Sequence, residues 1–153
     1  MHRVLRAVVG GIAGTALMSL VFLMAEVETR FLLGVPAAIA RFAGVPGRYV
    51  LGAAIFVVAG VVAWPVLFVV LEPYLGRLPG GEDAAVSGMY FAVLLWVAFL
   101  VPGTGSLVTA ALGIYLVVTL GAHLVYGFTL GALYARLDET TASPGRADAS
   151  PGS

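Results

Sequence analysis

From Val50 to Leu71 not one side chain carries a charge, and three further stretches, about residues 4–27, 86–101 and 107–137, are similarly poor in charge. An α-helix rises about 1.5 Å per residue, so about 20 apolar residues cross a hydrocarbon core of about 30 Å. Four such runs in one chain constrain the fold more than any motif does. Only 10% of the 153 residues are charged and 61% are hydrophobic, against about 25% charged in ordinary soluble domains. The sequence therefore predicts an all-α, polytopic membrane protein. It has four transmembrane helices and a short interfacial helix in the first connector.

The first run follows Arg3 and Arg6, which resemble the basic start of a signal peptide. Its apolar part is too long for that and no small-residue cleavage site follows, so it reads as a retained helix. Residues 28–50 are broken by Pro36, Pro46 and glycines. Pro36 suits the first turn of a short helix, with Ile39 and Phe42 on one side and Arg41 on another, lying in the interface. Pro65 falls inside the second run and predicts a kink, tolerated where a neighbour satisfies the carbonyl it frees. Residues 72–85 read as a polar loop and Pro102–Gly105 as a tight turn. The transmembrane domain is placed at 1–137, with a disordered polar tail at 138–153.

Eight arginines balance eight acids. No basic field is present to attract nucleic acid. Cysteine is absent, which removes thiol chemistry and Cys-based metal sites. Lysine, asparagine and glutamine are absent too, a bias expected of a GC-rich prokaryotic genome. With four spans, Arg3, Arg6, Arg77, Arg136 and Arg146 share one side, and Arg30, Arg41 and Arg48 the other. That bias favours cytoplasmic termini in a multi-pass plasma-membrane protein.

In a bilayer, close approach of small residues drives helix association. Gly10-x-x-x-Gly14 in the first run and Gly127-x-x-x-Gly131 in the last are the candidate packing glycines. Setting Gly14 beside Gly127 brings Ser19 level with His123 and Glu26 level with Tyr115. The candidate polar intramembrane site is accordingly His123, Ser19, Thr15, Glu26, Tyr126 and Tyr115. Polar groups inside a membrane mark function or serve as interhelical glue. His123 is expected first as glue to Ser19 or Thr15, with ligand binding or proton handling as the alternative. Glu26 is expected to pair with Arg30, four residues on, or to face the bundle as a titrating carboxylate. Tyr126 and Tyr134 are expected to anchor the last helix, and Trp64 and Trp96 to fill space.

No catalytic residues are assigned and no metal or cofactor is expected. His123 lacks an opposing haem ligand, since His2 lies at the terminus. Gly103-Thr104-Gly105-Ser106 lacks the spacing and lysine of a phosphate loop.

The segments GGIAGTALMSL, Gly34-Val35-Pro36-x-x-Ile39 and HLVYGFTLGALY resemble an uncharacterised DUF-type family of small prokaryotic four-helix membrane proteins, over residues 5–137. The resemblance implies a polytopic membrane protein without an assigned activity. It draws attention to Gly14, Thr15, Ser19, His123 and Gly127. The leading expectation is a non-enzymatic binding or scaffold role, with the bilayer and a homo-oligomer or membrane-protein partner as its contacts. The alternatives are a small proton-coupled transporter, with Glu26 and His123 on one polar cavity, or a lipid- or quinone-binding protein. The last predicts an apolar pocket beneath the interfacial helix, with His123, Tyr126 and Trp96 around a headgroup.

Overall fold

The computed structural model describes residues 2–29, 33–104 and 109–142. Five helices follow in order: α1 (Arg3–Thr29), α2 (Val35–Phe42), α3 (Tyr49–Leu75), α4 (Ala84–Thr104) and α5 (Thr109–Ala142). Among the described residues there is no strand. Three helical stretches are long and apolar enough to cross a membrane: Arg3–Thr29, Tyr49–Leu75 and Leu112–Thr140. The apolar part of α4, Ala84–Leu100, is shorter. At about 1.5 Å per residue it covers about 25 Å of a core about 30 Å thick. Four spans expected from sequence thus become three that qualify by length, plus one short apolar helix.

Two boundaries differ from expectation. Helix α4 runs on through Pro102, Gly103 and Thr104, where the sequence predicts a turn, and residues 105–108 lie outside the described residues. In apolar surroundings a further helical turn keeps backbone groups paired that an open turn would strand. Helix α5 continues past Leu137 to Ala142, and the rest of the expected tail lies outside the described residues.

The start of α1 and the ends of α3 and α5 meet at one end of the bundle. Arg3 donates from Nε to the Tyr134 hydroxyl at 2.9 Å and pairs through Nη2 with Glu72 at 3.1 Å. Arg6, 4% exposed, pairs with Asp138 and lies 4.8 Å over the Tyr134 ring. Phe68 packs beside this group against Phe91 and Tyr134, each ring pair 5.6 Å apart. The α3–α4 turn is pinned from α4. Ser87 Oγ donates to the Gly81 carbonyl, Tyr90 OH donates to the Pro79 carbonyl, and Asp83 caps Ala85 N–H.

Helix α5 lies between α1 and α4, and glycines make both approaches. On the α1 side a Cβ at Gly10 would sit 2.8 Å from the Leu130 carbonyl oxygen, and one at Gly14 would sit 2.9 Å from the Tyr126 ring. On the α4 side a Cβ at Gly127 would overlap Gly88, one at Gly131 would overlap Ala84, and one at Gly88 would overlap Gly127. The expected pairing of Gly14 with Gly127 is therefore corrected. The two glycine motifs do not face each other: Gly10 and Gly14 receive Leu130 and Tyr126, while Gly127 and Gly131 receive the small-residue stripe of α4.

At the opposite end, α2 lies across the start of α3. Gly34, with φ of 62°, precedes it and Pro36 opens it. Gly44 and Gly47, with φ of 74° and 82°, follow it. These left-handed conformations suit glycine, which lacks a Cβ. A side chain at Gly52 of α3 would overlap the Pro36 carbonyl, so the two helices touch by backbone. Phe42 meets Phe99 of α4 with ring centroids 4.8 Å apart.

Candidate functional site

The site begins with an irregularity in α3. Residues Ala59–Ala63 form a π-turn, and Trp64 N–H reaches back to the Ala59 carbonyl. In that register the next donor to Gly60 would be residue 65, which is proline and has no N–H. The Gly60 carbonyl is left without a helical donor, and the Tyr126 hydroxyl of α5 donates to it at 2.8 Å. Leaving a buried carbonyl without a partner costs about 1–3 kcal/mol, so this contact helps to fix where α5 stands against α3. Neighbouring residues fit around it. A Cβ at Gly60 would overlap the Thr15 hydroxyl, and one at Gly11 would overlap the Pro65 ring. Tyr126 itself is buried beside Gly14.

Displacing α3 backbone at the π-turn opens a cavity of about 270 Å³. Its walls include Thr15, Trp64, Phe99, Tyr115, His123 and Tyr126. Ile39 and Phe42 of α2 cover it on one side. Four of the six polar candidates, Thr15, Tyr115, His123 and Tyr126, thus share one space. No arginine, aspartate or glutamate lines it, and among the described residues no cluster of His, Asp and Glu forms a metal site.

Two of the lining side chains have a defined hydrogen-bonding state. His123 Nδ1 lies 2.7 Å from the Thr119 carbonyl oxygen, one turn back. A carbonyl only accepts, so Nδ1 carries the proton and Nε2 is the acceptor of the neutral ring. Thr15 is 7% exposed and its Oγ1 is buried with no hydrogen-bond partner. Threonine in a helix commonly donates to the carbonyl four residues back, as Thr119 does to Tyr115 at 2.6 Å and Thr129 to Val125 at 2.7 Å. Thr15 does not.

The other two candidates lie elsewhere. Ser19 is exposed and its hydroxyl donates to the Thr15 carbonyl of its own helix at 2.7 Å. The expected Ser19–His123 bond is corrected to two separate bonds, each to local backbone, because α1 turns Thr15 and Met18 to the cavity and leaves Ser19 exposed. Glu26 Oε1 accepts from Leu33 N–H at 2.9 Å and so holds the connector that leads into α2. Its expected partner Arg30 lies outside the described residues. Trp96 is absent from the walls and donates from Nε1 to Thr119 Oγ1 at 3.0 Å.

One of the sequence readings set an apolar pocket beneath the interfacial helix, but sequence reasoning missed Trp64 and Phe99 in the walls and named Trp96 instead. It also missed Ala84, Gly88 and Ala92 as the partner stripe of α5, although their four-residue spacing repeats that of Gly127 and Gly131. The Gly60–Pro65 spacing was the available signal for a carbonyl needing an outside donor.

Chemically, the cavity offers an apolar body lined by four hydroxyl-bearing residues, of which Thr15 is buried without a partner, and by the neutral acceptor of His123. No carboxylate, nucleophile and base converge on it.

The chain matches a family of unknown function, DUF6789, over residues 1–144, and it belongs to that family. Neither the curated proteins nor the solved structures contain a match to it.

Proposed function

We propose that this member of the DUF6789 family is a multi-pass membrane protein that acts by binding, and that the cavity beneath α2 receives an apolar small molecule from the bilayer. The observation that carries this reading is an apolar space enclosed inside a bundle whose outside is itself apolar. Val50 is 87% exposed and Val117 73%, and contiguous apolar surface on that scale marks contact with lipid or protein. At about 270 Å³ the space lies just under the usual range for small-molecule pockets, about 300–1,000 Å³. It suits a small ligand or one chain of a larger one.

The same reading takes α4 as a fourth, short span, residues 1–137 as the transmembrane domain, and the plasma membrane as its location with cytoplasmic termini. Its partners are lipid and a second copy or another membrane protein, with no nucleic acid. A proton-coupled transporter fits less well, because it needs Glu26 beside His123 and the Glu26 carboxylate is engaged at Leu33.

Native mass spectrometry of the protein extracted gently from its own membrane tests the binding reading. One small-molecule adduct is expected on the natural chain and none on Ala63→Leu, whose added side chain fills the cavity. A bare chain in both samples overturns it. For topology, the chain has no cysteine, so single cysteines at Arg41 and Glu82 report directly. Labelling of the first only from outside and of the second only from inside is expected. Labelling of both from one side overturns the four-span arrangement.

A further inference from the structure

Resting on the binding reading above, we infer that the cavity selects a lipid whose head is a single uncharged hydroxyl, a prenyl or long-chain alcohol, held between Thr15 and His123. Two observations point the same way. Thr15 is a residue of the cavity wall, more than nine-tenths buried, and its hydroxyl lies against Gly60 without a hydrogen-bond partner, so a short turn of the side chain is what brings it to a ligand. His123 lines the same cavity with Nδ1 committed to Thr119, which makes its outer nitrogen an acceptor.

The chemistry of the pair narrows the head group. A phosphate, carboxylate or ammonium head would enter a space whose lining holds no arginine and no acid to neutralise it, and an unpaired charge in an apolar interior is strongly disfavoured. An ester, ketone or quinone carbonyl accepts from Thr15 but gives nothing to an acceptor nitrogen. A hydroxyl does both: it donates to His123 Nε2 and accepts from Thr15 Oγ1. Its chain then runs among Phe99, Trp64 and the α2 residues Ile39 and Phe42.

Farnesol, farnesyl acetate and farnesyl phosphate share one chain and differ only in the head. Their binding to the full chain in phosphatidylcholine nanodiscs is followed by Trp64 fluorescence in a Trp96→Phe background. Farnesol is expected to bind about tenfold tighter than the acetate, since the acetate leaves the buried acceptor unsatisfied, and the phosphate more weakly still. His123→Leu is expected to bring the alcohol-to-acetate ratio to about one. Thr15→Val should weaken farnesol about fivefold and Thr15→Ser should restore it.

Equal binding of alcohol and acetate, or tighter binding of the phosphate, overturns the hydroxyl inference and leaves the cavity as a binding site. Binding of none of the three, with the native adduct also absent, overturns the cavity reading itself. A preference for farnesol that survives both His123→Leu and Thr15→Val overturns the assignment of these two residues.

Discussion

Helix α5 makes two seams from similar materials, and they behave differently. Against α4, small residues meet small residues: Gly88 lies on Gly127 and Ala84 on Gly131, so the backbones touch and no room remains. Against α1, small residues meet large ones: Gly14 lies on the ring and carbonyl of Tyr126, and Gly10 on the backbone and side chain of Leu130. The first seam gains only close packing. The second brings a polar tip to depth, so that Tyr126 can reach the Gly60 carbonyl of α3. A Gly-x-x-x-Gly motif states that something comes close. What comes close, backbone or side chain, decides whether the seam is purely structural or also builds a site.

This contrast can be broken by substitution. Gly127→Ala should have the largest effect, because the new methyl overlaps the Gly88 backbone and the Ala92 Cβ, neither of which can turn aside. A loss of about 3 kcal/mol in a reversible unfolding titration in mixed micelles is expected, at the upper end for overpacking. Gly14→Ala should cost about 1.5 kcal/mol, since the Tyr126 ring and carbonyl stand 2.9 and 3.0 Å from the new methyl and a shift of a few tenths of an ångström relieves both. Equal losses at Gly14 and Gly127 would mean that the seams are alike. Tyr126→Phe should cost about 1 kcal/mol by stranding the Gly60 carbonyl. Adding Pro65→Ala, which supplies an N–H, should recover most of that loss; purely additive losses would show that Tyr126 matters for packing alone. The smallest effect has the opposite sign. Thr15→Val removes a buried hydroxyl that has no partner, and the ligand-free protein should gain about 0.5 kcal/mol. A loss there would mean the hydroxyl already serves the fold.

Depth was more legible in the sequence than direction. The expected register set Gly14 beside Gly127; the structure sets it beside Tyr126. One residue along a helix is about 1.5 Å of depth but about 100° of rotation. An error trivial in depth therefore turned Gly127 and Gly131 from the α1 side to the α4 side. Composition was enough for helices able to cross a membrane, because apolar length needs no partner to be read. Thr15, Tyr115, His123 and Tyr126 stood out as polar groups in apolar runs, and they line one cavity. Ser19 and Glu26 stood out for the same reason but spend their oxygens on nearby backbone, a choice that rotamer and local geometry make. A pocket beneath α2 was among the readings, but the contact that seats α2, backbone against backbone at Gly52, was hidden because it joins residues distant in pattern and silent in composition.

Among the described residues, the ion pairs gather at one end of the bundle. Arg3, Arg6, Glu72, Tyr134 and Asp138 tie three helix ends together where α1 begins and α3 and α5 end, while the cavity sits toward the other end, under a short helix with left-handed glycines on both flanks. In a bilayer the two ends belong to different leaflets. On the binding reading proposed above, a molecule that reached the cavity past α2 would come from the leaflet remote from the start of α1, so binding would be confined to one face of the membrane.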